Sequence, residues 1–220
     1  LDGWWGVGKY AKLFEENLAN ALECKEAIMT NSGSSANLLA IATVMSKQFD
    51  GKLNKGDEVI TTSATFPTTF NPIIQNGLKP VLLDIELGTY NIRASNLEKA
   101  VSPKTKAIVV QHAFGNPNEM DAIMDFAKDQ NLFVIEDSCD ALGSKYGNKM
   151  TGSFGLFGTF SFYPAHHITT GEGGAISSNN PEILTITRSL RDWGRACTCP
   201  VCKVILDPNF SLDLLRQAAR

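Results

Sequence analysis

The chain of 220 residues contains 43% hydrophobic and 20% charged residues, and its formal net charge is −3. These values are typical of a soluble globular domain with a large core, and without a basic block nothing indicates a nucleic acid partner. The longest apolar runs, such as 107–110 and 132–135, are far too short to span a membrane, and residues 1–5 lack the pattern of a signal peptide. We therefore expect a cytoplasmic protein that binds neither nucleic acid nor membrane.

Helix and strand patterns alternate along the chain. Apolar residues at helical spacing predict a first helix over 10–22. Further helices are predicted at 35–49, 67–76, 94–101, 118–131 and 181–194, and strands at 58–62, 80–84, 106–111, 132–137, 157–162 and 174–178. Repeated strand–helix units with apolar strands predict an α/β fold, in which a mostly parallel sheet is covered by helices. Ligands of such sheets bind at the carboxyl ends of the strands.

A run of small residues, Ser32-Gly-Ser-Ser-Ala36, opens the second helix. Free backbone amides, the helix dipole and the hydroxyl groups of Ser34 and Ser35 suit a bound phosphate. An ordinary helix cap explains the same residues.

Two candidates for binding a flat cofactor ring follow in the chain. Phe66 lies in a loop after a strand, where its ring could stack on a cofactor or belong to the core. Asp137 ends an apolar strand, where its carboxylate could pair with a pyridinium nitrogen or act as a helix cap. Asp140 follows closely, and its role is open.

The segment 158–174 has the layout of the active-site segment of a pyridoxal-phosphate (PLP) aminotransferase. Such segments carry a phosphate-binding serine, here Ser161, and a Schiff-base lysine five residues later. This chain has His166 at the lysine position. An imidazole cannot form a stable imine, but it can move protons near neutral pH. The substitution predicts a non-covalently held cofactor and chemistry other than ordinary transamination.

Cysteines cluster near the end of the chain, at Cys197, Cys199 and Cys202, and Cys139 lies beside Asp137. Four thiolates could hold an iron–sulfur cluster or zinc, although unrelated buried thiols are common.

Five segments together, 31–40, 66–72, 136–143, 161–174 and 191–195, resemble the DegT/DnrJ/EryC1/StrS sugar aminotransferase superfamily of fold type I. They resemble most closely its histidine-bearing branch, the CDP-4-keto-6-deoxy-D-glucose 3-dehydrases of lipopolysaccharide biosynthesis. The resemblance covers about residues 1–199, so it implies the fold of PLP-dependent transferases of fold type I for nearly the whole chain.

The resemblance implies a pyridoxamine 5′-phosphate (PMP) site, with His166 as the base that replaces lysine. The cofactor would be bound by Ser34, Ser35, Phe66, Asp137, Asp140 and Ser161. The implied substrate is a nucleotide-linked 4-keto-6-deoxy sugar, which loses its C3 hydroxyl. A [2Fe–2S] cluster would relay electrons from a separate flavin/iron–sulfur reductase, and the implied assembly is a homodimer.

The resemblance also implies a set of cluster ligands: Cys139, a long gap, a Cys-x-Cys pair and one further cysteine. The 57 residues between Cys139 and Cys197 (140–196) agree with that pattern, and Cys199 completes the pair. The last ligand is expected at position 207, which is Asp207. Cys202 is the nearest substitute, so we expect Cys139, Cys197, Cys199 and Cys202 as the ligands.

Members of that family are about twice as long as this chain and have a small C-terminal domain. We therefore expect residues 1–195 to form the cofactor-binding large domain, and 196–220 to be a cysteine-containing start of a truncated C-terminal part. The chain does not begin with Met, which suits a fragment. Two alternatives stay open: a cluster-free GDP-4-keto-6-deoxy-mannose 3-dehydratase, and a truncated or zinc-stabilised protein without catalysis.

Overall fold

A computed structural model of the chain describes residues 7–195, which form a seven-stranded sheet between two layers of helices. The strands are β1 Glu26–Thr30, β2 Glu58–Thr62, β3 Lys79–Leu83, β4 Thr105–Gln111, β5 Phe133–Asp137, β8 Phe157–Ser161 and β9 Gly174–Ser178, with a separate hairpin of β6 Lys145–Tyr146 and β7 Lys149–Met150. The helices are α1 Lys9–Ala21, α2 Gly33–Val44, α3 Pro67–Gln75, α4 Leu97–Ala100, α5 Met120–Asp129 and α6 Pro181–Arg191. None of these helices of residues 7–195 is long and apolar enough to cross a membrane.

The strand order is β1-β9-β8-β5-β4-β2-β3. Strands β3, β2, β4, β5 and β8 run parallel, whereas β9 is antiparallel to both β8 and β1. The sheet is therefore mostly parallel, which confirms the predicted α/β class. Because β9 runs against its neighbours, β1 points in the same direction as β8, and their carboxyl ends meet at one edge.

Several predicted boundaries were wrong, and β1 and the hairpin were missed. Helix α2 begins at Gly33, because Ser32 caps it, and it ends at Val44 instead of position 49. Helix α6 ends at Arg191, since Trp193 and Gly194 have positive φ angles of 63° and 73° and cannot continue a helix.

Successive residues of each central strand pack into different cores. Ile135 of β5 belongs to the core beneath α2 and α6, whereas Val134 belongs to the core beneath α4 and α5. A third core joins α1 to β8 and β9 through Leu18, Phe160 and Ala175. Both faces of the sheet are covered, which explains the nearly continuous apolar runs of the parallel strands.

A fully buried carboxylate, Glu136, lies at the end of β5. Its Oε1 accepts hydrogen bonds from the amides of Phe154 and Gly155, each at 2.7 Å, and its Oε2 accepts one from the amide of Gly152 at 2.7 Å. Nε2 of the buried His112 lies 3.0 Å from the same Oε2. Because the amide of Asn118 donates to Nδ1 of this imidazole, the ring proton is assigned to Nε2. Glu136 thus ties β5 to the end of β4 and to the loop before β8.

The outer edge of β1 is covered by side chains instead of a strand. Oε1 of Glu15, on α1, accepts a hydrogen bond from the amide of Met29 at 2.8 Å. Arg191, on α6, pairs with Glu15 at 2.9 Å and donates to the Met29 carbonyl at 3.4 Å. Side chains of two helices therefore satisfy the outward-facing amide and carbonyl of Met29 on this edge strand.

The substitution Glu136→Gln should lower the free energy of unfolding by about 2–4 kcal/mol, because it removes a buried charge that several donors share. Urea unfolding followed by circular dichroism measures the change. The matched control is Glu182→Gln on the exposed start of α6, which should leave stability within about 0.5 kcal/mol. An equal effect of the two substitutions would contradict the structural role of Glu136.

Candidate active site

The sequence-predicted site residues converge on one edge of the sheet. Thr30, at the end of β1, pairs with Gly174, at the start of β9, and Gly174 also pairs with Ser161, at the end of β8. Asp137 ends the next strand, β5, where it pairs with Thr159. The edge is therefore a place where several carboxyl ends of strands present side chains together, as expected for a ligand site of a parallel sheet.

Two glycines let the start of α2 lie directly against this edge. A Cβ atom at Gly33 would lie 2.6 Å from Cβ of Ser161 and 2.8 Å from Sγ of Cys139. A Cβ atom at Gly174 would lie 2.2 Å from the carbonyl carbon of Ser32. Any larger residue at either glycine would push the helix start away from β8 and β9. The close approach brings the start of α2 beside Ser161.

The start of α2 places three serine hydroxyls, those of Ser32, Ser34 and Ser35, in one hydrogen-bonded turn. Ser32 caps the helix, since its Oγ accepts a hydrogen bond from the amide of Ser35 at 3.1 Å. The hydroxyl of Ser35 lies 3.2 Å from that of Ser32, and the hydroxyl of Ser34 donates to Thr68 of α3 at 3.0 Å. The structure thus shows the helix cap at Ser32, and the phosphate site at Ser34 and Ser35 stays a prediction that this cap does not exclude.

The carboxylate of Asp137 is 3% exposed and fixed from several directions. Its Oδ2 accepts hydrogen bonds from Nδ2 of Asn37 at 2.8 Å and from the hydroxyl of Thr69 at 2.6 Å. Its Oδ1 accepts one from the amide of Cys139 at 3.1 Å. The hydroxyl of Thr159 in turn donates to Oδ1 of Asn37 at 2.6 Å. The orientation of the carboxylate is thus set, and Oδ1 keeps capacity for one further donor.

Sequence reasoning assigned no role to Asn37, Thr69 and Thr159, although all three are buried around Asp137. Asn37 lies one turn after Ser34, on the buried side of an otherwise apolar helix. Thr69 lies in the first turn of α3, three residues after Phe66. A polar residue on the core side of a predicted helix is the signal that could have identified Asn37 and Thr69, since buried polar groups need partners.

Phe66 lies at the N-cap of α3 with 63% of its surface exposed, so it is not a core residue. Oε1 of Gln111, at the end of β4, accepts hydrogen bonds from the amide of Phe66 at 3.2 Å and from the hydroxyl of Thr65. An exposed aromatic ring on an anchored backbone suits stacking on a planar ligand.

His166 lies in the loop between β8 and β9, with its side chain 21% exposed. Its Nδ1 is 3.4 Å from Oδ1 of Asp140, and its ring meets the ring of Tyr163 edge-on, with centroids 6.3 Å apart. His167 is exposed. Asp140, for which the resemblance implied cofactor binding, therefore contacts the predicted base.

Cys139 is the one member of the predicted cluster set among the described residues, because Cys197, Cys199 and Cys202 lie outside them. Burial, and then the neighbouring Asp137 carboxylate, raise the pKa of the Cys139 thiol well above its ordinary value. Across residues 7–195, no three His, Cys, Asp or Glu side chains come together as a metal site.

Residues 1–202 match the family model of the DegT/DnrJ/EryC1/StrS aminotransferase family. The chain belongs to this family. It therefore has the α/β fold of PLP-dependent enzymes of fold type I, as predicted.

Similar proteins include ones named as nucleotide-sugar dehydratases and as aminotransferases. The chain shares 50% identity with the lipopolysaccharide biosynthesis protein RfbH of Salmonella typhimurium, and the alignment covers 97% of this chain and 49% of RfbH. It shares 49% identity with the dTDP-4-dehydro-2,6-dideoxy-D-glucose 3-dehydratase of Saccharopolyspora spinosa, and that alignment covers 88% of this chain and 42% of the relative. The crystal structure of a GDP-4-keto-6-deoxymannose-3-dehydratase with a trapped PLP-glutamate geminal diamine matches with a TM-score of 0.81 at 39% identity, covering 85% of this chain and 48% of that one. The chain spans about half the length of the curated relatives it matches.

The substitution Thr69→Val should weaken PLP binding several-fold and lower the free energy of unfolding by about 1–2 kcal/mol, because Asp137 loses a buried donor. Fluorescence titration with PLP measures the first effect and urea unfolding the second. The matched control is Thr187→Val, which removes a buried hydroxyl of α6 that bonds Ile183 and Thr43. The control should lower stability alone, and a similar loss of PLP affinity in both variants would contradict the role of Thr69.

Proposed function

We propose that the protein is a PMP-dependent enzyme of deoxysugar biosynthesis that removes the C3 hydroxyl from a nucleotide-linked 4-keto-6-deoxy-hexose, as the CDP-4-keto-6-deoxy-D-glucose 3-dehydrases do. The observation that carries the proposal is the imidazole of His166, at the lysine position of the active-site segment, on the same edge of the sheet as Ser161 and Asp137. Relatives named as 3-dehydratases of dTDP- and GDP-linked sugars support the substrate class.

The described residues fit the phosphorylated pyridine ring of this cofactor. The amides that open α2, with the hydroxyls of Ser34, Ser35 and Ser161, would bind the phosphate. Phe66 would cover one face of the ring, and Oδ1 of Asp137 would accept a hydrogen bond from the protonated ring nitrogen. Since Asn37 and Thr69 already hold Oδ2, the carboxylate needs no reorganisation to do so.

The bound cofactor supplies an electron sink for charge that develops beside its ring. The 4-keto carbon of the sugar would first join the amino group of the cofactor with loss of water, so that electrons released at C4′ can reach C3. His166 would remove the C4′ proton and hold it on a ring nitrogen. The protonated imidazole would then donate this proton to the departing C3 hydroxyl, so that water leaves and the base is regenerated. Asp137 would keep the ring nitrogen protonated, which would maintain the sink.

The substitution His166→Lys tests the position of the base. A lysine amine beside the cofactor aldehyde should form an imine with PLP and turn the protein yellow, whereas the unaltered chain should not. The absorption spectrum after addition and removal of excess PLP reports the imine, and borohydride reduction should make it permanent. The control, His167→Lys, places the same amine one residue away on an exposed side chain. A band in the control but not in His166→Lys would assign the base to the other histidine.

We further propose that a [2Fe–2S] cluster is held by Cys139, Cys197, Cys199 and Cys202. The cluster would relay single electrons from a flavin-containing iron–sulfur reductase to the cofactor site. Cys139 is partly exposed beside Asp137, close to the cofactor site. Because its pKa is raised, the thiol is protonated near neutral pH, and iron must displace that proton.

Iron and acid-labile sulfide measured on anaerobically purified protein test the cluster. We expect about two of each per chain and a brown colour. Cys139→Ser and Cys202→Ser should each lose most of the iron. Cys24→Ser should retain it, because the Cys24 thiol donates to the backbone of Glu26 and burial raises its pKa to about 11. Zinc in place of iron would favour a zinc-stabilised protein.

A cluster-free 3-dehydratase that takes its amino group from glutamate is the second candidate. It is favoured by the 39% identity to the GDP-4-keto-6-deoxy-D-mannose 3-dehydratase of Escherichia coli O55:H7. Turnover of a GDP-linked 4-keto sugar with glutamate, by iron-free protein and without a reductase, would establish it.

We also propose that the site is completed in a homodimer. Phe66, Tyr163 and Ile168 are exposed around the site, and aromatic and aliphatic side chains of this kind suit burial by a second subunit.

A further inference from the structure

We propose that Asp140 is a positioning residue that holds the proton of neutral His166 on Nδ1 and so leaves Nε2 as the atom that accepts a proton. The inference rests on the proposed function for the task of His166, but the proton's location can be measured without any turnover. It gives Asp140 a role through the histidine instead of a direct role at the cofactor.

The two side chains meet across separate, anchored loops. Nδ1 of His166 is 3.4 Å from Oδ1 of Asp140, and both side chains are shielded, with exposures of 21% and 32%. The amide of His166 donates to the carbonyl of Tyr163 at 3.0 Å, and the amide of Tyr163 donates to Oγ of Ser161 at 3.3 Å. The histidine loop is therefore connected to the end of β8.

Asp140 is held by the turn that follows β5. The amide of Ala141 donates to the carbonyl of Ser138 at 3.0 Å, and a Cβ atom at Gly115 would lie 3.1 Å from the carbonyl oxygen of Asp140. These contacts fix the backbone from which the Asp140 side chain extends. The 3.4 Å separation is an ion-pair contact, longer than a good hydrogen bond. Catalytic hydrogen bonds are commonly long without ligand and tighten when ligand binds.

The chemistry of the pair determines which nitrogen of the imidazole carries the proton. A neutral imidazole donates through one nitrogen and accepts through the other, whereas an ionised carboxylate only accepts. Contact between Nδ1 and Asp140 therefore favours the Nδ1–H form, in which the lone pair lies on Nε2. The Tyr163 ring lies edge-on to the imidazole and offers it no hydrogen-bond acceptor at a ring nitrogen in these contacts. Without Asp140, nothing in these contacts selects one form of the ring over the other.

The chain contains three histidines, which makes the proton location directly measurable. Two-bond ¹⁵N–¹H spectra of the imidazole rings at mildly alkaline pH distinguish the two neutral forms. His166→Gln identifies the signals of His166. His112 serves as an internal standard of correct folding, because its Nε2–H form is fixed by Glu136 and by the amide of Asn118.

We expect the Nδ1–H form for His166 in the unaltered chain, a shift toward the Nε2–H form in Asp140→Ala, and recovery in Asp140→Glu. Asp125→Ala, on the exposed face of α5, is the matched control and should leave His166 unchanged. An Nε2–H form in the unaltered chain overturns the proposal, as does an unchanged His166 in Asp140→Ala when His112 shows that the core is folded.

Steady-state kinetics separate positioning from cofactor binding. Asp140→Ala should lower kcat by roughly ten- to a hundredfold, part of what a general base contributes, and leave the KM for sugar and the affinity for PMP within about twofold. A large loss of PMP affinity with an unchanged histidine would make Asp140 a cofactor ligand and overturn the proposal. If the proton shifts as expected and no 4-keto sugar is turned over, the role of Asp140 stands and the proposed function alone fails.

Discussion

Two adjacent carboxylates at the end of β5 hold the molecule together around its site. Because successive residues of a strand point to opposite faces of the sheet, Glu136 and Asp137 act on different layers. Glu136 accepts hydrogen bonds from backbone amides of the loop before β8 and from the imidazole of His112. Asp137 accepts hydrogen bonds from side chains of α2 and α3. Buried charges are tolerated only when they are fully bonded, so each carboxylate dictates where its partners lie. The carboxyl end of β5 is thereby fixed relative to every element that borders the site.

The parts of the site differ in how rigidly they are held. The start of α2 packs on β8 and β9 too closely for any side chain at Gly33 or Gly174. Asp137 belongs to a strand and is bonded on both oxygens. His166, in contrast, lies on a loop, and within residues 7–195 its polar side-chain contact is with Asp140. This division would suit the proposed function, in which the ring and phosphate of the cofactor are held still while a base moves a proton between atoms.

Much of this site could be predicted from the sequence, because its main residues sit in short local patterns. Asp137 and Ser161 end apolar strands, and the serine run opens a helix. Other features depend on contacts that no local pattern encodes. The hydrogen bond between Asn37 and Asp137 joins residues that are 100 positions apart in the sequence. Strand β1 has only five residues and no turn residues before it that would set it apart from α1. The contact of Asp140 with His166 requires knowledge of how two loops fold toward each other.

The contacts of Glu15 and Arg191 with β1 protect the edge of the sheet against association with other chains. A strand edge with free amides and carbonyls is a template on which other chains can add strands. Here a carboxylate and a guanidinium occupy the positions that a neighbouring strand would use at Met29. Damage to α1, for example by proteolysis, would uncover that edge. A strand of another chain would then reach the backbone of Met29, so that loss of α1 would favour self-association of the sheet.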